Sequence, residues 1–293
     1  MKILLTGADG FTGRPFADLA KNAGHEVVAL RSDLTDPKAL VADVLQVQPE
    51  AVVHLAAIAF VGHEHNEAFY AVNVVGTTNL LDALKRLPRK PRKVLLASSA
   101  NIYGNCEQSP IVETEAPSPV NHYAMSKLAM EQLARTYMGQ LDIVIMRPFN
   151  YTGPGQSEDF LIPKLAKHFA QRSASISLGN LDVKREFNDV RMVCEAYLKL
   201  LSLGQAGEIY NVCSGRPHDL RTVIDTFARL TGHSLQLVVD PAFVRANEVH
   251  SLYGSSDKLR LLLDEAGEDL KTFTLEETLI EVLQSFEQRP NRV

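Results

Sequence analysis

Residues 1–13 read MKILLTGADGFTG, and this stretch decides the fold. Lys2 to Thr6 is a short, mostly apolar run bounded by glycine, so it reads as a buried strand. Gly7, Gly10 and Gly13 follow, and the amphipathic segment FTGRPFADLAKNAG then opens a helix. In such a strand–turn–helix, Gly7 permits the tight turn, Gly10 lets backbone approach a pyrophosphate and Gly13 lets helix pack closely on strand. A diphosphate can then sit at the helix N-terminus, where unpaired amides and the helix dipole favour an anion. The spacing is GxxGxxG and no Lys-Ser/Thr pair follows, which argues against a nucleoside-triphosphate loop. A tight turn without ligand is the plainer reading of the glycines alone; their place directly after the first strand favours a dinucleotide.

Outward from this stretch, β-rich runs alternate with amphipathic ones: HEVVALR, DPKALVADVLQVQP, EAVVHLAA, a helix around AFYAVNVVGTTNLLDALKRL, KVLLASS, a helix from Tyr123 to Met138, and LDIVIMRPFN. Continuous apolar strands separated by helices predict a parallel sheet covered on both faces, a Rossmann-type doubly wound α/β fold. The glycines and proline of YTGPGQ mark a change of organisation. Beyond it GEIYNVCSG reads as a strand rejoining the sheet, while shorter strands and helices read as a smaller α/β substrate-binding lobe. The expected division is residues 1–155 plus about 186–214 for the dinucleotide-binding domain, and about 156–185 with 215–293 for the second lobe, with a ligand cleft between them.

The 293 residues are 45% hydrophobic and 22% charged, with a net charge of -5, enough apolar content for a large core. Basic residues occur only as scattered pairs, which gives no electrostatic footprint for nucleic acid or an anionic membrane. Cys106, Cys194 and Cys213 are far apart and lack CxxC spacing, so they read as buried thiols in a reducing compartment, with no metal site. KILLTG is too short for a signal segment or a membrane span, which predicts a cytoplasmic protein.

The second strand, HEVVAL, ends where an acidic residue would meet the adenosine ribose of NAD. Arg31 and Ser32 stand there instead, and a guanidinium suits the 2′-phosphate of NADP(H). Asp33, two positions on, keeps NAD(H) open. Tyr123 and Lys127 are four residues apart and share one helix face. A nearby ammonium favours a phenolate and pulls its pKa from about 10 toward neutrality. Ser99, just beyond a strand end, can bind the same oxygen that the tyrosine protonates. Taken singly, a Tyr/Lys pair at i,i+4 is more often surface decoration; the order of glycine turn, Ser99, Tyr123 and Lys127 reverses that reading and points to redox chemistry.

With TGADGFTG, the HLAA of His54 to Ala57, NVVGT at Asn73 to Thr77, SSANIYG, YAMSK, RPFNYTGPGQ, KREFNDV and IYNVCSG, the chain resembles the extended short-chain dehydrogenases/reductases, the nucleotide-sugar epimerase/dehydratase/reductase family, from residue 1 to about 260. That resemblance implies Tyr123 as general acid/base, Lys127 as its activator and ribose ligand, and Ser99 as the residue orienting the substrate oxygen. It extends the cofactor shelf from Gly7, Gly10, Gly13, Arg31 and Asp33 to Phe11, Leu34, Leu55, Ala56, Ala57 and Asn73. A nucleotide-diphosphate sugar would meet Asn150, Arg185, Arg245 and Glu248, although Arg185 also reads as an ion pair with Glu186. His63 and His65 read as exposed loop residues that can face the sugar.

Family dehydratases carry an Asp-Glu pair after the Ser/Thr; here Ala100 and Asn101 stand there, so dehydration is not expected. Within the family the likeness is greatest to the GDP-4-keto-6-deoxy-D-mannose reductases, which implies NADP(H)-dependent 4-ketoreduction giving GDP-D-rhamnose. An NAD-dependent 4-epimerase and a non-catalytic dinucleotide sensor are the alternatives. The resemblance also implies a homodimer through the helices around Val72 to Leu84 and Leu128 to Met138. Near the C-terminus LDEAGEDLKTF replaces the family's Leu-Gly-Trp-x-Pro turn, and the chain has no Trp.

Overall fold

A computed structural model of the chain describes residues 1–59, 65–106, 108–241 and 251–287. The first half runs β1 (Lys2–Thr6), α1 (Gly13–Asn22), β2 (Glu26–Ala29), α2 (Pro37–Val47), β3 (Ala51–His54), α3 (Asn66–Tyr70), α4 (Thr77–Lys85), β4 (Lys93–Ala97), α5 (His122–Arg135) and β5 (Ile143–Pro148). Then come β6 (Tyr151–Thr152), α6 (Leu161–Ala170), β7 (Ser175–Leu178), β8 (Lys184–Arg185), β9 (Asn188–Asp189), α7 (Val190–Leu203) and β10 (Ile209–Val212). The chain continues through β11 (His218–Asp219), α8 (Leu220–Thr231), β12 (Gln236–Val239), β13 (Ser251–Leu252), α9 (Asp257–Glu265) and α10 (Leu275–Glu287).

The central sheet has the order β2-β1-β3-β4-β5-β10, every pair parallel. After β2 the chain crosses back over β1 to β3, so strand order reverses between β1 and β3, the point in such a sheet where a ligand crevice forms beyond the strands' carboxyl ends. Apart from the edge strand β2, whose residues are exposed or partly buried, the strands are buried on both faces, and their side chains alternate between two cores. Ile3, Leu5, Val53 and Leu95 pack with Phe16, Val193 and Leu200 of α1 and α7. Leu4, Val52, Val94 and Leu96 pack with Leu40, Leu80, Leu84 and Met130 of α2, α4 and α5. A third core of Ile162, Leu165, Phe169, Ile176, Val223, Phe227, Leu279 and Val282 binds α6, β7, α8 and α10 together.

Local chemistry explains the element ends. Asp36 caps α2 by accepting from the amides of Lys38 and Ala39, with Pro37 at the first helical position, where it forfeits no bond. Gly232 ends α8 in the left-handed conformation at φ 59°. Two expectations are corrected. The helix predicted as continuous through AFYAVNVVGTTNLLDALKRL is interrupted by a π-helical turn at Ala71–Gly76, where the Asn73 side chain is clamped by the chain at Ile58. Cys194 and Cys213 are buried, but Cys106 is partly exposed in a loop, where its thiol contacts the Gln108 carbonyl. Among the described residues, no helix is long and apolar enough to cross a membrane.

Candidate active site

Gly7 turns the chain after β1 at φ 68°, and a Cβ there would lie 2.8 Å from the Ala56 amide nitrogen. The turns after β1 and β3 therefore touch, across the point where strand order reverses. A Cβ on Gly13 would come within 2.0 Å of the Gly7 carbonyl oxygen, so only glycine lets α1 start so close to the strand. Gly10 donates to the Gly7 carbonyl at 3.0 Å, and the amides of Phe11 and Thr12 find no acceptor among the described residues. Unpaired amides at a helix start, with no side chain filling the turn, fit a diphosphate. Tyr151 closes the far side: its hydroxyl bonds Thr12 Oγ1 at 2.8 Å and its ring stacks on Phe11 at 5.7 Å between centroids. Leu55, Ala56 and Ala57 line the opposing turn, half-buried.

At the end of β2, Asp43 of α2 accepts from the Arg31 amide at 2.9 Å and from the Ser32 amide at 3.1 Å. This anchors the backbone and leaves the Arg31 side chain exposed, its guanidinium without a partner among the described residues. Asp33 turns its carboxylate onto Thr35, accepting from its amide at 2.7 Å and its hydroxyl at 2.8 Å, and these bonds hold the carboxyl below its ordinary pKa. Leu34 is buried against Gly76. The cation at this strand end is thus available, and the nearby carboxylate is engaged.

Tyr123 and Lys127 lie one turn apart on α5, both buried, and Asn121 caps that helix by accepting from the Ala124 amide at 2.8 Å. Ser99 follows β4, and its hydroxyl pulls the pKa of the Tyr123 phenol down. Lys127 Nζ donates to the Ala97 carbonyl at 2.7 Å. The sequence predicts an ammonium that pulls the phenol toward neutrality. In the structure burial instead pushes the Tyr123 phenol above its ordinary pKa, and only the Ser99 hydroxyl opposes the rise. Burial also lowers the Lys127 amine to about 8, opposed by the Glu131 carboxylate one turn further along α5. The phenol therefore holds its proton at neutral pH.

Several supporting residues escaped the sequence reading. Thr6 Oγ1 accepts from the amides of Leu55 and Ala56 and meets His54 Nδ1 at 2.7 Å; His54 Nε2 meets Thr77 Oγ1 at 2.9 Å; Thr77 donates to the Asn73 carbonyl. Because Thr77 gives its one proton away, His54 must donate from Nε2 and accept at Nδ1, so the imidazole is neutral. Burial, aided by the Lys127 charge, accordingly lowers its pKa to about 3. Asn73 then donates to Ser126 Oγ at 3.0 Å, and Ser126 donates to the Tyr123 carbonyl at 2.7 Å. One directional chain thus joins the end of β1 to the helix carrying Tyr123. On the other side of α5, Glu131 receives two bonds from Arg147, at 3.0 and 2.7 Å, and Arg147 also donates to the Tyr103 hydroxyl at 2.9 Å. Only the i,i+4 spacing of Lys127 and Glu131 and the presence of His54 and Thr77 in quoted motifs hinted at these roles.

On the substrate side, Asn150 is exposed, and its carbonyl accepts from the Asn188 amide at 2.9 Å. Arg185 is half-buried on β8 and donates to the Lys184 carbonyl at 2.8 Å. Glu186 is fully buried and receives the amides of Ser214 at 2.9 Å and Gly254 at 2.7 Å. Arg245, Glu248 and His63 lie outside the described residues; His65 is exposed just before α3. A cavity of about 420 Å³ lies between α7, α9 and the segment before α10, lined by Met192, Leu263 and Phe273 among others. It contains none of Ser99, Tyr123 and Lys127.

A sequence profile of the NAD dependent epimerase/dehydratase family matches residues 3–213. The chain is 34% identical to a GDP-6-deoxy-D-talose 4-dehydrogenase of Aggregatibacter actinomycetemcomitans, over 96% of each protein. It is 36% identical to a GDP-6-deoxy-D-mannose reductase of Pseudomonas aeruginosa, over 98% of each. Among solved structures, a candidate epimerase from Burkholderia cenocepacia J2315 superposes with a TM-score of 0.92 at 45% identity, covering 98% of both chains. RMD from Pseudomonas aeruginosa complexed with NADPH superposes with a TM-score of 0.89 at 33% identity, covering 99% of both.

Proposed function

The chain belongs to the NAD-dependent epimerase/dehydratase family of extended short-chain dehydrogenase/reductase enzymes, and from that premise we propose that it is an NADPH-dependent reductase of a GDP-linked 4-keto-6-deoxy sugar. The observation that carries this reading is the burial of Tyr123 and Ser99 together with the open glycine turn after β1 and the unpaired Arg31; burial raises the Tyr123 pKa and so favours the protonated phenol. Reduction of a ketone needs an acid that begins the cycle with its proton. NADPH, when bound, supplies the hydride to C4. Tyr123 transfers its proton to the ketone oxygen as charge develops there, Ser99 donates a hydrogen bond to the same oxygen, and Lys127 adds a positive charge behind the phenol. Phe11, Thr12 and the three glycines hold the diphosphate of the cofactor, and Arg31 pairs with its 2′-phosphate. Leu34, Leu55, Ala56, Ala57 and Asn73 wall the cofactor, with Asp33 at the ribose end. Asn150, Arg185, Arg245 and Glu248 are assigned to the sugar nucleotide.

The two-domain division given by the sequence belongs to the same proposal, with the third apolar core as the scaffold of the substrate lobe. The relatives named for reductase and dehydrogenase activity support the substrate class. Mannose and talose differ in configuration at C4, so the two names correspond to hydride on opposite faces of one ketone; the reading favoured here is the manno product, GDP-D-rhamnose. A second copy of the chain would cover Val75, in the π-helical turn before α4, and Met125 of α5, both exposed.

The test is incubation of purified protein with NADPH and GDP-4-keto-6-deoxy-D-mannose, following loss of reduced-cofactor absorbance and reading the C4 configuration from proton couplings. A 4-epimerase is the second reading, supported by the Burkholderia structure. Conversion of UDP-glucose to UDP-galactose without added reductant, together with no NADPH consumption on any 4-keto sugar nucleotide, would replace the reductase with it.

A further inference from the structure

We propose that Asn101 is a positioning residue that fixes the direction in which Ser99 donates its single hydroxyl proton. The inference rests on the catalytic role proposed for Ser99 and adds a residue to it. Ser99 is 6% exposed and caps the short 3-10 turn Ala100–Tyr103. Its Oγ accepts from the Asn101 amide at 3.2 Å and from Asn101 Nδ2 at 3.2 Å. A hydroxyl has two lone pairs and one proton, so with both lone pairs occupied the proton has to leave in another direction. Ser99 also pulls the pKa of the buried Tyr123 phenol down, as a hydroxyl that donates toward the ring oxygen does.

Without the side-chain donor, Ser99 can rotate and offer a lone pair to the phenol, which would then give its proton to Ser99 and not to a substrate oxygen. Asn101 removes that choice. Its carboxamide can supply N–H where a carboxylate cannot, because ionised Asp or Glu only accepts. The consequence is sharpest for Asn101→Asp. That change keeps the shape of the side chain, so the turn is retained, but it converts the donor into an acceptor and draws the Ser99 proton inward.

The expected result is a fall in kcat of about 10², the scale for losing one donor at a developing oxyanion. NADPH affinity should stay within about twofold, since the hydrogen bonds of Asn101 go to Ser99 and Gly104 and to none of the residues assigned to the cofactor. Asn101→Ala leaves the backbone donor in place and should lower kcat by less than Asn101→Asp. An independent readout is carbon NMR of the Tyr123 ring carbon bearing the hydroxyl, assigned through Tyr123→Phe, in protein without substrate. Asn101→Asp should raise its titration midpoint, and should raise it less in a Ser99→Ala background, where only the added charge acts. Equal shifts in the two backgrounds overturn the proposal, as does an Asn101→Ala enzyme as slow as the Asp variant. If no sugar nucleotide is reduced, the functional reading fails by itself, and the NMR comparison still decides the role of Asn101.

Discussion

Replacing Glu131 by Gln should test whether the buried pair behind α5 serves both stability and chemistry. The Glu131 side chain is 0% exposed and that of Arg147 3%, and they share two bonds. Gln is nearly isosteric, so the perturbation is the loss of charge. Arg147 would retain the Tyr103 hydroxyl and the Glu113 carbonyl but no anion. Leaving one member of a buried ion pair uncompensated costs about 3–5 kcal/mol. At roughly 2–4 °C per kcal/mol for a chain of this size, the melting temperature should fall by about 10 °C. The double change Glu131→Leu with Arg147→Met removes both charges and should cost less than either single change. Lys127 reports the same event in its titration. Its folded pKa of about 8 lies below the ordinary 10.5, opposed only by Glu131. A depressed pKa means that the unfolded chain binds the proton more readily, so stability rises with pH from about 8 to about 10.5 and falls again as pH drops through 8. Without Glu131, and with Arg147 unbalanced, that rise should begin at lower pH, and the alkaline limb of kcat should move down with it. Urea midpoints across pH, with matched pH–rate profiles, provide the assay. A loss under about 1 kcal/mol with superimposable profiles would refute the reasoning.

Three shorter expectations accompany it. Tyr123→Phe removes the proposed proton donor and should slow turnover by about 10²–10⁴ with cofactor binding retained, measured by single-turnover kinetics; near-normal turnover would dismiss the assignment. Arg31→Asp should shift preference from NADPH toward NADH, read as the ratio of kcat/KM values, and an unchanged ratio would place Arg31 away from the 2′-phosphate. His54 titrates at about 3 in the fold against 6.5 ordinarily, so stability should decline as pH falls from 6.5 toward 3, by about 1.4 kcal/mol per pH unit. His54→Gln should flatten that acid slope in urea titrations, and a slope equal to that of the parent protein would show His54 charging inside the fold.

The sheet was legible because each strand announces itself twice, by its apolar run and by the turn that stops it. Ile3 and Leu5 against Leu4 already carry the two-faced burial that separates the two cores. Ser99, Tyr123 and Lys127 were legible as a set because their order and the i,i+4 step fix a common helix face. The interruption at Ala71–Gly76 was not. The Asn73 side chain inside it bonds Ile58, fifteen residues away in sequence, and no local pattern encodes a partner at that distance. The direction of the Tyr123 shift was missed for a related reason. Spacing says that Lys127 is near, but burial of the phenol and the pull of the Ala97 carbonyl on the ammonium are properties of the packed state. The Arg147–Glu131 pair likewise joins β5 to α5 and leaves no signature in either segment alone.

That reversed shift bears on what the same three residues can do. A phenol kept protonated by burial is a ready acid and a poor base, whereas abstraction of a hydroxyl proton needs the phenolate from the outset. Epimerisation begins with such an abstraction and must therefore overcome the burial of Tyr123 before its first step; reduction does not. What could lower the barrier is positive charge brought against the ring oxygen. Lys127 is the charge at hand, yet one of its protons is held by the Ala97 carbonyl and its amine is itself depressed to about 8. Burial that disfavours the ammonium thus also disfavours the phenolate it would stabilise. Under the roles proposed for these residues, burial around α5 keeps Tyr123 a proton donor at rest.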